Sequence, residues 1–168
     1  GDARRAADLT MDTVFIVETL KLLLSGIPLT LQLAFYSIAA GAVFAVLLAL
    51  MRLSGNRVLD YAARTYVFVF RGTPLLVQIF LIYYGLGQFP EVRQSILWPF
   101  LREPYWCALL ALTLNTAAYS SEIIRGGILS VPFGQIEAAR ASGLSGSLLL
   151  RRIVLPLAVR QALPAYGN

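Results

Sequence analysis

Asn115, Tyr119 and Glu122, in the stretch LNTAAYSSE, stand four and three residues apart, so a helix here carries an amide, a phenol and a carboxylate on one face. Thr116 adjoins them. Such a set can meet a polar solute, and it can equally tie helices together by hydrogen bonds. Covalent chemistry is poorly provided for. The 168-residue chain has no histidine and one cysteine, so the usual zinc-ligand sets and the Ser/His or Cys/His nucleophile arrangements cannot be built. No residue is assigned to catalysis or to a metal. Cys107 reads as a small buried hydrophobe and says nothing about redox compartment. The chain also has no GxxxxGK(S/T) stretch to cradle nucleotide phosphates, so pumping would need an energy source in another protein.

A second group is stranger in its setting. EAARASGLSGSLLLRRIVLP, residues 137–156, puts an acid, small residues, a glycine and two adjacent arginines between strongly apolar stretches. Ser130-Val131-Pro132 opens a helix, with the proline where its missing N–H does no harm. Gly143 ends that helix in a left-handed conformation. Ser145 or Ser147 then caps a second helix, LLLRRIVL, which Pro156 interrupts. Glu137, in the first turns, favours the helix dipole. Ala138 and Ala139 leave one side without bulk, a shape suited to a groove on something else.

The elements that must hold these groups are membrane spans. Hydrophobic residues make up 58% of the chain and charged ones 14%, well beyond ordinary soluble composition. Residues 27–51, 72–90 and 104–121 carry no charge and are long enough to cross about 30 Å of hydrocarbon. Residues 13–24 form a short amphipathic segment at the interface, interrupted by Glu18 and Lys21, and Gly26 and Pro28 then open the first span. Residues 1–12 read as a leader, an upstream read-through or cloning residues, which leaves 13–168 as the folded part. Within the third span, Asn115 lies about 16 Å from Pro104, near mid-membrane, and Glu122 about 27 Å, near the inner edge. Glu122 is therefore expected to pair with Arg125. Thr116, Ala117, Ala118 and Ser120 suit close helix packing. Arg71 reads as a snorkelling anchor at the start of the second span, where Pro74 either sits in a first turn or kinks a longer helix from near Tyr61. Trp98, Phe100, Tyr105 and Trp106 read as an outer aromatic belt.

Net charge is +5, and all but one of the fourteen basic residues are arginine. Their placement argues for lipid, with no nucleic-acid partner. Arg52, Arg57 and Arg64 follow the first span, and Arg125, Arg140, Arg151, Arg152 and Arg160 follow the third. The positive-inside rule then sets the amino terminus outside and the hairpin at 137–156 in the cytoplasm, with Arg151 and Arg152 near the anionic inner leaflet.

Glu137-Ala138-Ala139, three residues, Gly143, nine residues, Ile153, one residue, then Leu155-Pro156 resembles the EAA loop of permease subunits of ATP-binding-cassette importers. RGTPLLVQ (71–78) and NTAAYSSEIIRGGILSVPFGQIEAAR (115–140) resemble those of the polar amino acid type: histidine, arginine, glutamine and opine. The likeness runs from about Leu29 to the end. It implies an all-α membrane protein of the type I ABC importer fold, with about three spans and the hairpin present. It further implies that Glu137, Ala138, Ala139, Arg140 and Gly143 dock on a separate ATPase subunit, which alone binds ATP, so that this chain is a transport subunit with no enzymatic activity or cofactor of its own. An identical or sister permease, a periplasmic solute-binding protein and an amino acid substrate complete the implied partners. Asn115, Thr116, Tyr119 and Glu122 are the candidate substrate path. Members of this class continue through about two more spans, so the chain reads as a fragment. The competing expectation is a secondary transporter or channel without an ATPase, which co-purification would tell apart.

Overall fold

The computed structural model describes residues 2–167, with side chains from Val14 onward. The leader assigned to residues 1–12 lies, in its side chains, outside the described residues. Every regular element that is described is a helix. Two units are distinguished, residues 1–35 and 36–168.

Helix α1 runs Asp2–Leu53 with Pro28 inside it, and residues 14–35 are almost wholly exposed. The expected interfacial segment at 13–24 is thus not a separate element. Gly26 and Pro28 do not break the chain, because an apolar stretch in lipid has no water to satisfy broken backbone and keeps its helix. Hydroxyls help on either side of the proline: Ser25 Oγ donates to Leu22 O at 2.7 Å and Thr30 Oγ1 to Gly26 O at 3.0 Å.

In the second unit, α1 buries Ser37, Gly41, Ala45 and Ala49, one small residue per turn. A Cβ on Gly41 would stand 2.9 Å from the Thr116 side chain, so two backbones approach closely there. Gly55, at φ +72°, turns the chain, and Asn56 caps α2 (Arg57–Gly72) by accepting from the Val58 N–H at 2.9 Å.

The second span is not the straight helix expected over 72–90. α2 stops at Gly72, α3 (Leu75–Phe80) starts after Pro74, and the helical run Leu75–Gln88 that it opens is bent 105° from α2. Proline pushes its predecessor out of helical conformation, and Thr73 sits at φ −117°, ψ 141°. Pro74 therefore breaks the longer helix, and Arg71 lies in the last turn of α2. Beyond α3 come a π-helical turn (Leu81–Gly85), a 3-10 turn (Leu86–Gln88) and short helices α4 (Pro90–Arg93) and α5 (Trp98–Leu101). Near them, Phe100 and Tyr105 each meet Trp106 edge to face, with centroids 5.3 Å apart.

Helix α6 (Pro104–Leu129) is long and apolar enough to span, as is residues 14–53 of α1; the bent α2–α3 pair would make a third crossing. After α7 (Phe133–Ala141) and α8 (Gly146–Leu149), a π-helical turn (Leu150–Val154) leads into α9 (Leu155–Tyr166). Pro156 does not interrupt this run. The Leu155 N–H reaches back to Leu150 O, a five-residue step. That wider turn accommodates a residue with no N–H of its own. Helices α6 and α9 touch at Gly127, where a Cβ would stand 2.7 Å from Ala158 O.

Candidate functional site

Three constructions use the polar residues, and the first is a charged clasp at the inner end of the helices. Arg52, in the last turn of α1, donates from Nε to Asp60 Oδ1 at 3.0 Å and from Nη1 to Glu122 Oε1. Arg125 meets Glu122 at 2.9 Å, the pair expected from the sequence, and Arg64 meets Asp60 at 2.8 Å. The Arg52 side chain is 11% exposed and that of Glu122 19%, so this bridge is shielded and joins α1, α2 and α6. A shielded pair with further hydrogen bonds to each member loses little to screening. Arg52 was not singled out by motif. Its signal was positional: a charge ending an uncharged span should meet a charge at the same depth on the next one.

The second construction sits at the α2–α3 break, which frees carbonyls at the end of α2. Gln78, buried, donates from Nε2 to Phe70 O at 2.8 Å, Thr73 O at 3.0 Å and Thr73 Oγ1 at 2.8 Å. Asn115 Nδ2 donates to Phe70 O and to Gln78 Oε1, both at 3.3 Å. Tyr66 Oη adds a bond to Leu114 O at 2.7 Å. Gln78 escaped notice as a site residue, although an amide inside the apolar run LLVQIF is itself a flag.

The four residues of the expected substrate path do not all face one cavity. Asn115 is engaged in the knot at the break, and Thr116 packs on Gly41. Tyr119 and Glu122 line a cavity between α6 and α9 with Arg71, Ser130 and Gln161. The Arg71 guanidinium stands 5.1 Å from the centroid of the Tyr119 ring, a cation–π contact. Arg71 is thus held over an aromatic face.

The third construction is the hairpin. Gly143, at φ +84°, lets its own N–H reach Arg140 O at 2.9 Å and the Leu144 N–H reach Ala139 O at 3.0 Å. Those two bonds make a Schellman closure, with Leu144 packing back toward Ala139. The core beneath it comprises Val131, Ala139, Leu149, Val154 and Ala158. Ala139 faces that core, while Glu137, Ala138, Arg140 and Gly143 face outward. Glu137 is the fifth residue of α7, beyond its first turn, so the helix dipole does not account for it. Among the described residues it has no ion-pair or hydrogen-bond partner. Ser145 stands at the start of α8 without a side-chain capping bond.

Long apolar helices that end in a clasp of arginines and carry a polar hairpin define a helical membrane protein. The chain belongs to the family of binding-protein-dependent transport system inner membrane components, whose model matches residues 37–168. It is 66% identical over 157 residues to the octopine transport system permease protein OccM of Rhizobium meliloti, covering 94% of this chain and 64% of that one. With the nopaline transport system permease protein NocM of Agrobacterium fabrum it shares 60% identity, covering 94% and 66%. With the histidine/lysine/arginine/ornithine transport system permease protein HisM of Salmonella typhimurium it shares 45%, covering 86% and 62%. A crystal structure of an amino acid ABC transporter with histidines superposes with a TM-score of 0.78 at 38% identity, covering 92% of this chain and 68% of that one. The chain therefore has the type I importer transmembrane fold, and it spans just under two thirds of the length of the curated relatives it matches.

Proposed function

We propose that this chain acts as a permease subunit of an ATP-driven importer that moves polar amino acids, basic and opine types among them, across a bacterial inner membrane. The observation that carries the reading is the hairpin. An acid with no partner among the described residues, an exposed alanine and an exposed arginine stand on a turn closed by two backbone bonds, the arrangement of a surface made for another protein. In this reading Glu137, Ala138, Arg140 and Gly143 touch an ATPase subunit, and Ala139 anchors α7 to the core below. The ATPase binds and hydrolyses ATP, a solute-binding protein delivers cargo from outside, and an identical or sister permease closes the pathway. Relatives that carry octopine, nopaline and basic amino acids support the solute class.

The test is crosslinking in intact cells through cysteines at Ala138 and Ser142 of the full-length protein, both exposed. An adduct with an ATPase that hydrolyses ATP in response to solute supports the reading. Adducts with lipid alone sink it.

A further inference from the structure

Helix α2 carries arginines at 57, 64 and 71, seven residues apart, so all three fall on one face. All three are exposed. On one flank of that stripe, Ala63 and Val67 are buried. On the other, Val58, Tyr61, Phe68 and Val69 are exposed, Phe68 by 78%. The arginines therefore run along the seam between a packed face and an apolar face suited to acyl chains.

Charge at this seam is unbalanced. Arg52, Arg64, Arg71 and Arg125 surround only Asp60 and Glu122, an excess of two positive charges. Glu122 is taken up by Arg52 and Arg125, and Asp60 by Arg52 and Arg64. Arg71 forms no ion pair among the described residues: the Tyr119 ring lies on one side, and the Glu122 carboxylate, already held by Arg52 and Arg125, acts on it only from beyond ion-pair distance. A cavity opens between Arg64 and Arg71, floored by Val67 and Phe68, with Glu122 and Arg52 behind and Gly72 leaving its rim clear. The two arginines are two turns apart, about 10 Å of rise, a gap that long side chains close around a group between them.

We propose that this cavity binds the phosphate of an anionic phospholipid from the cytoplasmic leaflet. Arg64 and Arg71 hold the phosphate, and the acyl chains run over Phe68 and Tyr61. Guanidinium matches phosphate oxygens in geometry as well as charge, and basic pockets at the inner edge of spans collect such head groups. The apolar flank decides the source: a soluble anion would gain nothing from Phe68. The site depends neither on which solute is carried nor on how transport is powered.

The full-length protein, purified with its partner subunits in detergent, is offered phosphatidylglycerol or phosphatidylcholine, and retained lipid is counted by native mass spectrometry. Phosphatidylglycerol should be kept at least about twentyfold better, about fivefold for each arginine. R71Q should cut its retention by about fivefold, R64Q/R71Q should bring it to the phosphatidylcholine level, and R71K should keep most of it. Millimolar inorganic phosphate should leave retention unchanged. Equal retention of the two lipids, full retention by R64Q/R71Q, or displacement by inorganic phosphate would each overturn the proposal. R71Q removes no ion pair, so if the double variant fails to assemble, unchanged retention by R71Q alone is decisive.

Discussion

Replacing Gly143 by alanine separates what the hairpin's shape does from what its packing does. At φ +84° an L-residue sets its Cβ against the neighbouring carbonyl, at a cost of about 1–2 kcal/mol. Beyond the adjoining residues of the chain itself, no atom lies within 4 Å of where that Cβ would go, so the whole cost is conformational. It falls on the Schellman closure, and the closed hairpin should lose population relative to frayed forms by about 5- to 30-fold. Gly55 is the natural control: its φ is +72°, its Cβ would also meet nothing within 4 Å, and it lies in the α1–α2 turn. Both alanine variants carry similar backbone strain. Solute uptake and solute-stimulated ATP hydrolysis would be measured in proteoliposomes containing the full-length protein with its partners, at matched protein content. The expected result is a several-fold loss of both in Gly143→Ala, partial recovery in Gly143→Asn, which tolerates the left-handed region better, and near-normal coupling in Gly55→Ala. Equal losses at the two glycines, or none at Gly143, would refute the view that hairpin geometry transmits the ATPase stroke.

Gly127→Val should force α6 and α9 apart, since its Cβ meets Ala158 O at 2.7 Å, and cost about 1–3 kcal/mol in thermal unfolding, while Gly126→Ala, with open space around it, should cost little. Arg52→Ala should destabilise by about 1–3 kcal/mol, because it strips a guanidinium from the shielded Glu122, the more exposed Asp60 keeping Arg64; adding Glu122→Gln in a double-mutant cycle should recover part of that loss. Asn115→Leu should lower uptake while insertion stays normal, and Gln78→Leu should lower thermal stability more than Asn115→Leu does, since it removes both N–H donors shared among Phe70 O, Thr73 O and Thr73 Oγ1 as well as the oxygen that accepts from Asn115. Unchanged uptake in Asn115→Leu would leave that residue a purely structural tie.

The local signals of the hairpin were readable because they are local. Gly143 announces its own dihedral, and Glu122 finds Arg125 three residues away on the same helix. The errors lay where tertiary or solvent context overrides local grammar. By the rules of water-soluble helices, Pro28 and Pro156 are punctuation. The first lies within α1, and the second follows a π-helical turn that absorbs its missing donor. The break at Thr73-Pro74 was one of two readings, and periodicity could not choose between them. What decides is the supply of donors for the freed carbonyls, and those come from Gln78, four residues beyond Pro74, and from Asn115 on a distant helix. Arg52 illustrates a further limit: its partners at positions 60 and 122 come together only when three helices are placed side by side.

The wide turn at Leu150–Val154 also sets a phase. One surplus residue rotates everything after it by about 100° compared with an unbroken α-helix. Because of it, Leu149 and Val154, five positions apart, both point into the hairpin core, and Ala158 arrives opposite Gly127. Deleting Arg151 would keep every residue named in the loop's motif but shorten the Gly143–Ile153 spacing by one and swing the alanine edge of α9 away from its neighbour, so that spacing works as a gear setting as much as a signature.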